Sequence, residues 1–88
     1  MRAGPYDERR ASLELFHRLA EPESAAARTL VRELGMLEAV QFRNVAFDSH
    51  RGALAAHGGA ATPALWDGER LHVGLDAIRA ALGAARRG

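Results

Sequence analysis

The chain reads as an α/β protein with a four-stranded mixed sheet and helices on both faces, in the order β-α-β-α-β-β-α. Three observations predict it. Two short apolar runs flank a segment with helical apolar spacing, and strands joined through a helix in this way must run parallel. Asp67-Gly68 separates Ala64-Leu65-Trp66 from Arg70-Leu71-His72-Val73, a strong hairpin signal that adds antiparallel strands. A last helical pattern closes the chain. Helices on both faces of one sheet give a three-layer α/β/α arrangement.

Each element has its own warrant. Residues 1–11 show no periodicity and carry Gly4 and Pro5, so they are expected to form a flexible leader to a single domain over 12–88. Leu13, Leu15 and Phe16 lie in a short apolar run, Ser12 to His17, that predicts a strand; Glu14 marks a wet face near its start. Glu21-Pro22-Glu23-Ser24 signals a helix start, because proline suits the first helical position and acids suit the positive end of the helix dipole. Ala27, Leu30, Val31 and Leu34 follow at helical spacing, and Gly35 stands where a left-handed cap belongs. Val40 to Phe47 predicts a second strand, with Val45 and Phe47 on one face and Phe42 on the other. Asp48 or Ser49 is expected to cap a short helix over His50–His57, ended by Gly58-Gly59. Leu75, Ile78, Ala81 and Leu82 mark the final helix, expected to fray after Gly83.

Composition narrows the function. At 88 residues the chain suits one domain, and a domain of that size buries roughly 60–65% of its unfolded surface. No apolar run approaches the ~20 residues needed to cross a bilayer, and residues 1–10 lack the apolar core of a secretory signal. No membrane role and a cytoplasmic location are the expectation. The net charge of +1 excludes bulk attraction to nucleic acid, which needs a clustered basic face. Arg9-Arg10 and Arg86-Arg87 read as solvated ends. His17, His50, His57 and His72 have no compact ligand spacing, so no metal site is expected.

Several segments together resemble the thioredoxin-fold proteins, and the glutaredoxin branch in particular. Phe16-His17-Arg18 resembles the end of that family's first strand, and Phe42-Arg43-Asn44-Val45-Ala46-Phe47 its second. Thr62-Pro63 resembles the segment whose proline is cis, and Val73-Gly74-Leu75-Asp76 is similar to the family's glycine-glycine-x-aspartate turn. The likeness spans residues 12–84. It implies a thioredoxin-like, glutaredoxin-like fold in which Glu21-Pro22-Glu23-Ser24 stands where the family has Cys-x-x-Cys. Glu21 then takes the place of the attacking cysteine and Ser24 that of the resolving one.

The chain contains no cysteine. Disulfide exchange needs a thiolate that attacks a sulfur and leaves again, which neither a carboxylate nor a hydroxyl can do. No thiol–disulfide oxidoreductase activity and no catalytic residue are therefore expected. The resemblance implies a vestigial groove formed by Arg18, Glu21, Ser24, Thr62, Pro63, Gly74, Leu75 and Asp76. A redox-inactive domain binding a protein partner or small ligand there is the leading expectation. The alternative is a glutathione-binding or glutathione-dependent transferase or isomerase module, with glutathione as a weak ligand and no other cofactor. In that case the tripeptide would pair beside Thr62 and place its carboxylate at the N-terminus of the last helix, a generic anion site. A negative Glu21 would repel the glutathione thiolate. Self-association through the edge strand Arg70–Val73, giving a monomer or weak homodimer, is a third reading.

Single residues also have plainer roles. Glu21 is expected to stabilise its helix N-terminus, Ser24 to be a helical-turn hydroxyl and Asp76 to cap the last helix. Trp66 is expected to pack in the core. His17, beside the Glu21 loop, is expected to share a hydrogen bond with Glu21 that raises its pKa, and the four histidines to be ordinary surface or strand-end residues.

Overall fold

In the computed structural model, which describes residues 13–87, the apolar runs become strands and the helical spacings become helices in the expected order. The leader expected over 1–11, together with Ser12 and Gly88, lies outside the described residues. The elements are β1 (Leu13–His17), α1 (Pro22–Glu33), β2 (Val40–Asn44), α2 (Asp48–Ala56), β3 (Ala64–Trp66), β4 (Leu71–Val73) and α3 (Leu75–Arg87). The strands form one open sheet in the order β2-β1-β3-β4. β1 and β2 run parallel, with Leu15 opposite Phe42, while β3 is antiparallel to both β1 and β4.

Side-chain alternation along β1 sorts the core into two layers. Leu13 and Leu15 face one way and pack with Ala27 and Val31 of α1 and with Ile78 and Leu82 of α3. Phe16 faces the other way and packs with Val45, Leu54 and Ala64 beneath α2. The helices thus cover both faces of the sheet. Leu15, Phe16, Val31, Leu65, Ile78 and Leu82 are fully buried, and each such side chain contributes about 1.5–3 kcal/mol relative to exposure.

Two helices end on the same device. Beyond α1, Met36 N–H donates to Val31 O and Gly35 N–H to Arg32 O, each at 3.0 Å. Beyond α2, Gly59 N–H donates to Leu54 O and Gly58 N–H to Ala55 O. Both are Schellman motifs, and both need a left-handed residue, supplied by Gly35 at φ 71° and Gly58 at φ 87°.

The structure corrects four boundaries. β2 stops at Asn44 rather than Phe47, because the Asn44 side chain accepts Ala46 N–H at 2.9 Å and its carbonyl accepts Phe47 N–H, folding the chain into a turn. Phe47 is consequently exposed instead of sharing a strand face with Val45, which is buried. α2 begins at Asp48, two residues earlier than expected, with Phe47 as its cap residue and no side-chain cap from Asp48 or Ser49. Arg70 lies outside β4: its carbonyl accepts Asp67 N–H and its own N–H reaches Asp67 Oδ1, so it belongs to the turn. α3 continues through Gly83 to Arg87. One glycine costs a helix only about 1 kcal/mol, and Ala84-Ala85 with two arginines at the negative end of the dipole offset it.

Candidate functional site

Strand direction decides what meets at one end of the sheet. β1 and β4 point the same way, so α1 and α3, which follow them, both begin at that end. β3 runs the opposite way, so the segment entering it, Thr62-Pro63, lies there too. Its peptide bond is cis. Two helix N-termini, each carrying unpaired N–H groups and a partial positive charge, therefore converge beside Thr62-Pro63.

The chain fills this end with its own carboxylates. Glu21 Oε1 accepts the Thr62 hydroxyl at 2.8 Å across the groove, and it also accepts the Ser24 hydroxyl. Ser24 is completely buried, and its Oγ accepts Arg18 N–H at 3.2 Å, tying the β1–α1 loop to the helix. The hydrogen bond from Ser24 chiefly holds the Glu21 carboxyl below its ordinary value. Desolvation opposes this, while the Thr62 bond and the Arg18 charge add to it. Glu23, on the next turn of chain, reaches α3: its Oε2 accepts Leu75 N–H at 3.0 Å. Pro63 is buried, and its carbonyl accepts Gly74 N–H at 3.0 Å, locking the start of α3 to the start of β3.

Seven of the eight expected groove residues are thereby brought together: Arg18, Glu21, Ser24, Thr62, Pro63, Gly74 and Leu75. Asp76 follows them in the first turn of α3, but its side chain is fully exposed, lies 3.7 Å from Arg79 one helical turn on, and does not cap the helix. Glu21 also departs from its expected role. It is the cap residue of α1, yet its carboxylate makes no hydrogen bond to that helix's N–H groups and crosses to Thr62 instead.

Two residues of the site escaped the sequence reading. Glu23 was visible as an acid at a helix start, but the helix it caps is α3 rather than its own. Arg28 sits one turn beyond Ser24 on the same face of α1. Its guanidinium donates to the carbonyls of Arg18, at 3.1 Å, and Leu19, at 3.5 Å.

The histidines also differ from expectation. His17 is buried, only 4% exposed, and its Nδ1 lies 3.0 Å from Arg28 Nη1 rather than bonding Glu21. Burial, then the Arg28 charge, then that of His50 push its pKa down, not up. His50 Nδ1 meets Asn44 O at 3.0 Å, and His72 Nε2 meets Asp67 Oδ2 at 2.8 Å. His57 stacks on Trp66 with ring centroids 3.8 Å apart, and Trp66 is half-buried on the α2 side, away from the groove. Among the described residues no group of three or more His, Asp or Glu side chains could hold a metal ion, and no helix is long and apolar enough to cross a membrane.

A hollow of about 340 Å³ opens at the opposite end of the molecule, between the α1–β2 loop (34–39) and Ala85 and Arg86 of α3. At the groove end Leu19 (68% exposed), Phe47 (61%) and Val73 (49%), which stand at or just beyond the C-terminal ends of β1, β2 and β4, are exposed apolar residues. No family model matches the chain, and no curated protein matches it in sequence.

Proposed function

We propose that this chain is a thioredoxin-like domain, resembling the glutaredoxin branch, that has no redox chemistry and binds a protein partner at the groove between the Glu21 loop and Thr62-Pro63. The carrying observation is the Glu21 carboxylate. It occupies the position that the resemblance gives to the attacking cysteine, and Thr62 and Ser24 hold it there. The parallel β1–β2 pair, the β3–β4 hairpin, helices on both faces and the contact of the Glu21 loop with Thr62 support the fold assignment.

A protein partner is favoured over a small ligand for two reasons. Small ligands bind in concave, mostly enclosed sites, whereas this end of the sheet exposes Leu19, Phe47 and Val73 to solvent. Exposed apolar groups rimming a polar centre suit a protein surface. In addition, the Thr62 backbone N–H and C=O have no hydrogen-bond partner among the described residues, leaving them for an extended segment of another chain.

Glutathione has less support. Glu23 already provides the carboxylate at the N-terminus of α3 that the tripeptide would provide, and Glu21 places negative charge at the thiol position. The test is affinity capture with the wild type, Thr62→Trp and a Leu19→Ala/Phe47→Ala double variant, alongside glutathione titration followed by amide NMR. A protein retained by the wild type and lost from both variants is expected, with no glutathione-dependent shifts at Thr62 or Gly74. Retention indifferent to both variants, or shifts at those amides at millimolar glutathione, would overturn the proposal.

A further inference from the structure

The Arg28 guanidinium contacts a buried imidazole and the loop carbonyls with the same few atoms. Nη1 lies 3.0 Å from His17 Nδ1 and donates to Arg18 O at 3.1 Å, while Nη2 reaches Leu19 O at 3.5 Å. Arginine only donates, and it stays charged at any accessible pH. His17 Nδ1 must therefore accept, which puts the ring proton on Nε2 and makes the imidazole neutral. We propose that neutral His17 and Arg28 form a proton-released clamp on the β1–α1 loop, closed when His17 is neutral and opened when it is protonated. The clamp's effect on binding rests on the groove reading given above; the clamp itself does not.

The consequence of protonation follows from the geometry. A proton on Nδ1 would point an N–H at an N–H and set two positive charges about 3 Å apart. The groups around the ring offer no relief. From α1 comes Arg28, from α2 His50, and from β2 the Phe42 ring, edge-on at a centroid distance of 5.6 Å. The adjoining loop contributes the cation Arg18, and the carboxylate in that loop, Glu21, is engaged by Ser24 and Thr62. No carboxylate faces the imidazole among the described residues. Burial and the Arg28 charge accordingly hold its pKa below 6.5. Arg28 is the partner free to leave, because its contacts with Arg18 O and Leu19 O lie at the surface. Its departure takes the side-chain donors from both carbonyls. The loop then keeps only the Arg18–Ser24–Glu21–Thr62 chain and the backbone bonds from Glu21 N–H to Arg18 O and from Ala25 N–H to Glu21 O.

The experiment is a pH titration of the free protein by NMR, reading the His17 ring nitrogens through long-range proton–nitrogen correlations and the exchange of the Arg18 and Glu21 amides, which donate to Ser24 Oγ and Arg18 O. Expected are an Nε2–H tautomer near pH 8, a His17 pKa below 6.5, and loss of loop protection with the same midpoint while the Leu15 and Val31 amides stay protected. Arg28→Met, which keeps the aliphatic stem and removes every donor, should leave the loop unprotected at all pH values and raise the His17 pKa. An Nδ1–H tautomer, a pKa at or above 6.5, or loop exchange that ignores the His17 midpoint would overturn the proposal. No partner takes part in these readouts, so failure of the clamp and failure of the groove reading are separable.

Discussion

Replacing Glu23 by alanine removes a single contact that joins two helices, and its size can be worked out from the geometry. Leu75 N–H, one of the orphan donors at the start of α3, loses the carboxylate that accepts it at 3.0 Å. Loss of a side-chain cap costs about 0.5–2 kcal/mol, and this one is exposed, which places it near 1. Removing the negative charge from the positive ends of α1 and α3 adds roughly 0.3–1 kcal/mol. The better helix propensity of alanine returns a few tenths. The net is a loss of about 1 kcal/mol, which for a domain of this size lowers the Tm by about 4–8 °C. Glu23→Gln keeps an oxygen acceptor without the charge, so it should lose roughly half as much. Urea unfolding followed by Trp66 fluorescence gives the free energies, and the Leu75 amide shift and exchange rate report the contact itself. If Glu23→Ala matches the wild type within about 0.3 kcal/mol and the Leu75 amide does not move, Glu23 does not cap α3 and the reasoning fails.

Ile78→Ala, at a fully buried position between α3 and the sheet, should cost about 2–5 kcal/mol in the same assay. Gly59→Ala should destabilise by about 1–3 kcal/mol, because a Cβ there would overlap Leu71 Cδ2 and stand 2.9 Å from Leu54 Cδ1, the latter held in the core. Asp67 has its carboxyl lowered from 3.8 to about 2, chiefly by its bond with His72 and then by the Arg70 and Glu69 amides, with desolvation opposing. A depressed carboxyl stabilises the fold above its unfolded pKa. That contribution is lost as pH falls from about 4 to about 2, and Asp67→Asn should flatten the stability curve in this window. His17 has the opposite charge type. With its folded pKa below 6.5, the unfolded chain takes up the proton first, so stability falls as pH drops below 6.5 and levels off once folded His17 is itself protonated. Arg28→Met should reduce that dependence.

Element order and sheet pairing were legible because they depend on local signals that agree. Pro22 and Gly35 bracket α1, Asp67-Gly68 marks the hairpin, and Leu13, Leu15 and Phe16 already divide between two faces. The ends of β2 and α2 were not, because Asn44 stops the strand by a side-chain bond to Ala46 that competes with the Val45–Phe47 apolar pattern. In the site, the approach of Glu21 to Thr62 followed from placing both at one end of the sheet. The reach of Glu23 to Leu75 spans 52 positions, and the pairing of His17 with Arg28 depends on which way α1 is turned about its axis. Neither leaves a periodic trace. The expectation that Asp76 caps α3 failed for the same reason: an acid at a helix start looks like a cap until a second acid from elsewhere is seen to have taken the position.

The side-chain carboxyl of Glu21, titrated by carbon-13 NMR, is the most direct probe of a groove held shut by the chain's own acid. The wild type should titrate below 4.5, and Thr62→Val, which keeps the shape but removes the hydroxyl, should move the midpoint back toward it. A wild-type midpoint at or above 4.5, unchanged by Thr62→Val, would mean that Glu21 does not cross the groove.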